Sequence, residues 1–89
     1  MKAVVTVTGK DTKGIIAKVS TLCSENGANI LEITQSVIAE YFAMVMLVDI
    51  NELSCDFGKF VDSMKELGKA NNLVIDVMHE DIFNSMHRI

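Results

Sequence analysis

Gly9-Lys10-Asp11-Thr12-Lys13-Gly14-Ile15-Ile16 is a short polar loop between an apolar strand and an amphipathic helix, and the chain is arranged around it. Before it, Lys2 to Thr8 is rich in Val and Thr, the composition of a strand. After it, Ile15, Ile16, Val19, Leu22 and Cys23 recur at helical spacing. Asp11 or Thr12 can cap this helix, since either side-chain oxygen can accept from an orphan N–H of the first turn. Gly14 is then expected inside the first turn, where glycine is a poor helix former but admits close approach to the backbone. A helix N-terminus presents unpaired N–H groups and the positive end of its dipole, which suits a carboxylate. The alternative is that Gly9 and Gly14 only make the turn.

Further along, Glu25-Asn26-Gly27 stops the helix, with Gly27 suited to the left-handed position beyond its end. Ala28 to Ile38 reads as a long strand in which Leu31, Ile33 and Val37 alternate with Glu32, Thr34 and Ser36, as an edge strand would. Ala39-Glu40 is short enough for a hairpin turn. In Tyr41 to Ile50, Phe42, Met44, Met46, Val48 and Ile50 share one face and Ala43, Val45 and Leu47 the other, so this is a central strand apolar on both sides. Ser54 or Asp56 can cap a second helix, whose stripe of Phe57, Phe60, Val61, Met64 and Leu67 runs to about Gly68. Ala70-Asn71-Asn72 turns the chain into a last strand, Leu73 to His79.

The order strand, helix, strand, strand, helix, strand predicts an α+β, ferredoxin-like βαββαβ sandwich. Its four-stranded antiparallel sheet would carry both helices on one face. Residues 80–89 place Ile82, Phe83, Met86 and Ile89 on one stripe of a short C-terminal helix. So short a helix does not hold alone in water and must dock. The 89 residues therefore read as a single domain, with a core over 2–79 and a tail over 80–89. Half of the Tyr41–Ile50 strand is left on the open sheet face, which predicts a homodimer in which the tail or a second subunit covers it.

A formal charge of −4 argues against a nucleic-acid backbone or an anionic membrane as partner. No apolar run approaches the roughly 18 residues of a membrane span, and Met1-Lys2-Ala3 runs into a strand with no secretory pattern. The two cysteines make no CxxC, so a reducing cytoplasm is expected, with Cys23 a buried small hydrophobe. Lys10, Lys13 and Lys18 gather near the loop as a solvated rim. An acylphosphatase-like loop needs an arginine, and Arg88 lies next to the C-terminus. An RNA-recognition sheet needs a basic surface and exposed aromatics, and a copper-chaperone loop needs CxxC. His79, Glu80 and Asp81, with His87 downstream, lack a metal-ligand spacing and read as solvated strand-end residues. Met44, Met46, Met64 and Met78 read as core fillers. No catalytic constellation or cofactor motif emerges, and the chain is read as a non-enzyme.

A strand, then Gly9-x-Asp11-x-x-Gly14-Ile15-Ile16, a helix ending near Asn26-Gly27, and Asn29-Ile30 opening the second strand resembles the ACT domain. The resemblance covers Lys2 to about His79 and extends to small free-standing ACT-domain proteins allied to the regulator of the glycine-cleavage system. Lys13 stands where many members carry proline. The resemblance implies a regulatory module without chemistry of its own that pairs and binds a small amino acid between domains. Its ligand site would be Asp11, Thr12, Lys13, Gly14 and Ile15 on the loop, completed by Asn29 and Ile30 of a neighbouring domain. The alternative within the same family is a ligand-free interaction module that docks on a regulated protein partner.

Overall fold

A computed structural model describes residues 1–10 and 13–86. Its elements are β1 (Lys2–Gly9), α1 (Ile15–Glu25), β2 (Asn29–Ile38), β3 (Tyr41–Asp49), α2 (Phe57–Ala70), β4 (Leu73–His79) and α3 (Glu80–Met86). The sheet order is β2-β3-β1-β4, and every neighbouring pair is antiparallel. This is the ferredoxin-like α+β architecture expected from the residue pattern, with β3 inside the sheet and β2 at its edge.

The core forms where period-two and helical stripes meet. Ala3, Val5 and Val7 of β1 and Phe42, Met44, Met46 and Val48 of β3 point toward the helices and are buried. Ile15, Val19 and Cys23 of α1 and Phe60, Met64 and Gly68 of α2 answer them, each set spaced four residues apart. Met44, Met46 and Met64 are therefore core fillers, while Met78 is half-buried on the other face. Ile16 drops out of the predicted stripe: it lies one residue round the helix from Ile15 and is 38% exposed.

Three local expectations are corrected. Gly14 is the N-cap of α1 rather than a first-turn residue, with φ 70° in the left-handed region and no side-chain cap hydrogen bond at this helix. The reason is conformational, since a left-handed residue cannot continue a right-handed helix. Asp11 and Thr12, the expected caps, lie outside the described residues. The second helix runs two residues past Gly68, to Ala70. Gly68 does not end it; instead, a Cβ there would stand 2.8 Å from the Leu73 carbonyl oxygen, so the missing side chain lets α2 lie close on β4. In β2, a bulge between Ile30 and Glu32 absorbs Leu31, so Ile33 and Val37 oppose Met46 and Phe42 while Glu32, Thr34 and Ser36 share the open face.

The tail helix α3 packs on β1 and β4 at one corner of the open face, where Val4 is 4% exposed. It buries none of its own residues, and Ile82 and Met86 stay 50% and 65% exposed. Most of that face, including Val45 and Val74, is left uncovered by it.

Candidate functional site

The loop after β1 leaves the sheet at Gly9, which pairs with Phe42 of β3 and Leu73 of β4. Lys13 and Gly14 are exposed. The left-handed turn at Gly14 swings the chain so that its carbonyl accepts from the Lys18 N–H at 3.0 Å, the first bond of α1. The N–H groups of the first turn have no acceptor within the helix, and no acidic residue stands in that turn to occupy them. The positive end of the helix dipole is directed at this turn.

Around this end, the three lysines are exposed, as a solvated rim would be, and Lys10 and Lys18 make surface contacts. Lys10 makes an ion pair with Glu40 at 3.8 Å and stands 5.6 Å from the centroid of the Tyr41 ring. Lys18 donates to Asn71 Oδ1 at 2.6 Å, tying α1 to the C-terminal end of α2. Ile15 is 3% exposed and points into the core, so only its backbone faces the loop.

Asn29 and Ile30 lie at the other end of the molecule. Asn29 opposes Asp49, which opposes Lys2 at the start of β1, whereas the loop follows Gly9 at the end of β1. Seven strand steps separate the two levels, about 23 Å. Within one chain, then, Gly14 and Asn29 do not meet. Ile30 is half-buried against the core, and Asn29 is exposed at the rim of a hollow of about 370 Å³ lined by Gly27, Asn29, Asp49, Asn51 and Glu52. There the Asn51 N–H donates to Asp49 Oδ1 at 2.8 Å, and the N-terminal ammonium donates to Asn51 Oδ1. Sequence reasoning missed Asp49, Asn51 and Glu52 because only strand register brings them beside Asn29.

The other chemically capable side chains are engaged in packing. Cys23 is fully buried, and burial pushes its thiol up to about 11, so it stays protonated. The half-buried Cys55 thiol donates to Asn26 Oδ1 at 3.4 Å. His79 is not a solvated strand-end residue: its ring stacks on Phe57 with centroids 4.1 Å apart. Among the described residues, no three His, Cys, Asp or Glu side chains are grouped to hold a metal ion; His87 lies outside them. No helix among the described residues is long and apolar enough to cross a membrane.

Residues 2–78 match the ACT domain family. The chain is 51% identical to a UPF0237 protein of Clostridium perfringens over 89 residues, the full length of both. It is an ACT-domain protein of the UPF0237 family. Among solved structures, an ACT domain protein from Streptococcus pneumoniae superposes with a TM-score of 0.82 at 40% identity, over 93% of each chain. A protein assigned as a glycine cleavage system transcriptional repressor superposes with a TM-score of 0.72 over 86% of this chain and 44% of its own. At 23% identity that likeness is one of fold. ACT domains are typically regulatory ligand-binding modules, and this ACT domain extends through nearly the whole chain.

Proposed function

We propose that this ACT domain is a non-catalytic regulatory module, working in the cytoplasm, that binds a small amino acid at a site shared between two copies. The observation that carries the reading is the separation of the site's two halves within one chain, together with an unpaired edge on β2. All ten residues of β2 but Ile30 are exposed, and Val37 and Ile38 are 68% and 69% exposed. So long and apolar a bare edge is what native sheets normally shorten, charge or cover. Antiparallel pairing of β2 with β2 of a second copy would set the partner's start of β2 beside the end of this one. That end shares its level with the loop, since Val37 and Gly9 both oppose Phe42. Asn29 of one copy would thereby stand near Gly14 of the other.

Such a site matches a zwitterion. The first-turn N–H groups of α1 would take the carboxylate, and Asn29 beside the Asp49 and Glu52 carboxylates would take the ammonium. A thermal-shift screen against the twenty amino acids tests the reading. A ligand at about 100 times its Kd adds roughly 2.7 kcal/mol, a rise of ten degrees or more for a domain of this size. One amino acid that raises Tm, and fails to do so in Gly14→Leu, is the expected outcome. A flat screen would refute sensing and leave a ligand-free interaction module docking on a protein partner.

A further inference from the structure

The two helices packed on the sheet both end on an asparagine, and the residue that follows differs. At α1, Asn26 Nδ2 donates to the Leu22 carbonyl at 2.8 Å; at α2, Asn71 Nδ2 donates to the Leu67 carbonyl at 2.8 Å. The next residue is left-handed in each case, Gly27 at φ 78° and Asn72 at φ 56°. The end of α2 shows that such a turn does not by itself require glycine. Gly27 is required by crowding, because a Cβ there would run into the Glu52 carbonyl oxygen. Asn26 is held as firmly: its Oδ1 accepts from the Cys55 thiol at 3.4 Å, and its carbonyl accepts from the Ser54 N–H at 2.8 Å. Packing therefore sets an asparagine directly before a glycine, the neighbour that least hinders attack on a side-chain amide. Of the asparagines in this chain, Asn26 alone precedes a glycine.

We propose that Asn26 is a modification site, a deamidation site held shut by segment 52–55 and converted when that segment lifts. The Gly27 nitrogen attacks Asn26 Cγ and bonds to it. The Cγ–Nδ2 bond breaks, and the amide nitrogen leaves with the Gly27 proton as ammonia. Water then opens the cyclic imide at either carbonyl. One product is aspartate; the other is isoaspartate, in which the main chain runs through Cβ and Cγ.

In the folded chain each participant is engaged elsewhere. A ψ of 5° at Asn26 sets the Gly27 nitrogen beside Asn26's own nitrogen, whereas ring closure needs it beside Cβ. The Gly27 N–H donates to the Ser24 carbonyl at 3.2 Å, and both ends of the side-chain amide are hydrogen-bonded. Turning ψ breaks the bond to Ser24 and moves the Asn26 carbonyl that holds Ser54, so closure requires segment 52–55 to lift. This segment belongs to the loop between β3 and α2, and loops open locally more often than a sheet does.

Conversion alters the fold that allowed it. Aspartate has no N–H for the Leu22 carbonyl, and it brings a negative charge to the negative end of α1 beside Glu25. The latch does not close again as before, so the change is a one-way record of opening. Isoaspartate also lengthens the main chain before Gly27, which lines the hollow with Asn29, Asp49 and Glu52.

The test involves no ligand and so stands apart from amino-acid binding. The chain is held at mildly alkaline pH, either folded or unfolded in urea, and mass spectrometry follows the peptide that carries Asn26 and Gly27. Deamidation is expected to run at least about a hundredfold slower in the folded chain. Cys55→Ala, which removes the thiol donor, is expected to speed it about two- to fivefold in the folded chain, and Cys55→Ser to keep it slow. Alkylation of the buried Cys23 should stay unchanged in these variants, as it does when the whole fold has not loosened. Asn26→Asp, which reproduces one product, is expected to melt about 4–8 °C below the wild type. A folded chain that deamidates as fast as the unfolded one, a Cys55→Ala rate equal to wild type, or an Asn26→Asp chain that melts with the wild type overturns the inference.

Discussion

Replacing glycine by alanine should have opposite effects at two positions of this chain. Gly14 has φ 70°, and a Cβ there would meet nothing nearer than Lys18 Cε at 4.0 Å. Its cost is therefore one of backbone conformation and not of crowding. A left-handed alanine costs about 1–2 kcal/mol, against which stiffening of the unfolded chain returns about 0.4–1 kcal/mol. The net loss is on the order of 1 kcal/mol, a fall in Tm of about 4–8 °C. Gly58, the second residue of α2, lies outside the left-handed region, and a Cβ there would meet nothing within 4 Å. Gly58→Ala should raise stability by about 0.5–1 kcal/mol through helix propensity and the unfolded state. Gly14→Asn should lose less than Gly14→Ala, because asparagine tolerates the left-handed region better. Urea unfolding of the three variants at constant m-value measures all of this. A Gly14→Ala protein as stable as wild type, or an asparagine variant worse than alanine, would refute the left-handed cap.

Gly68→Ala should destabilise despite its better helix propensity, by about 1–2 kcal/mol, because its Cβ would stand 2.8 Å from the Leu73 carbonyl oxygen and 3.2 Å from Ile75 Cγ1. Thermal unfolding that found Gly68→Ala more stable would mean that α2 can lift from β4 at no cost. Stability should also fall as pH rises from about 9 to about 11. In that window the unfolded Cys23 thiol, at its ordinary value of 9.0, releases its proton, while the buried thiol, raised to about 11, holds it. Two pH units correspond to roughly 2–3 kcal/mol. Cys23→Ala should flatten this part of the profile relative to wild type, and equal slopes would contradict the assignment. Iodoacetamide should label Cys55 in the native protein and reach Cys23 only after unfolding, as mass spectrometry of the two peptides can tell.

Elements whose burial is uniform along a face were legible in the sequence. The two apolar faces of β3 and the four-residue stripe of α2 follow from residue spacing alone, and with them the strand order that admits a ferredoxin-like sheet. What escaped depends on atoms far apart in the chain or on backbone angle. Gly14 reads as a weak helix residue until its positive φ is known. Gly68 reads as a helix stop, since the carbonyl that excludes a side chain belongs to Leu73 across a turn. His79 reads as solvated because its stacking partner, Phe57, is 22 residues earlier. The candidate site was half legible: Gly14 stands out by type and Asn29 through the resemblance to the ACT domain, but Asp49 and Glu52 join Asn29 only through register and the return of the chain past Gly27.

A mixing experiment most directly tests the site shared between copies. Gly14→Leu spoils the loop half of every site, and Asn29→Ala the strand half. Each variant alone should fail to bind the amino acid that raises the wild-type Tm. After the two are unfolded together and refolded as a mixture, mixed dimers carry one site built from two intact halves. Random pairing then restores roughly one quarter of the wild-type sites, countable by isothermal titration calorimetry. Recovery near that level is the predicted result. A mixture as inert as its components, with mixed dimers demonstrated by native mass spectrometry, would place both halves in one chain and contradict the account.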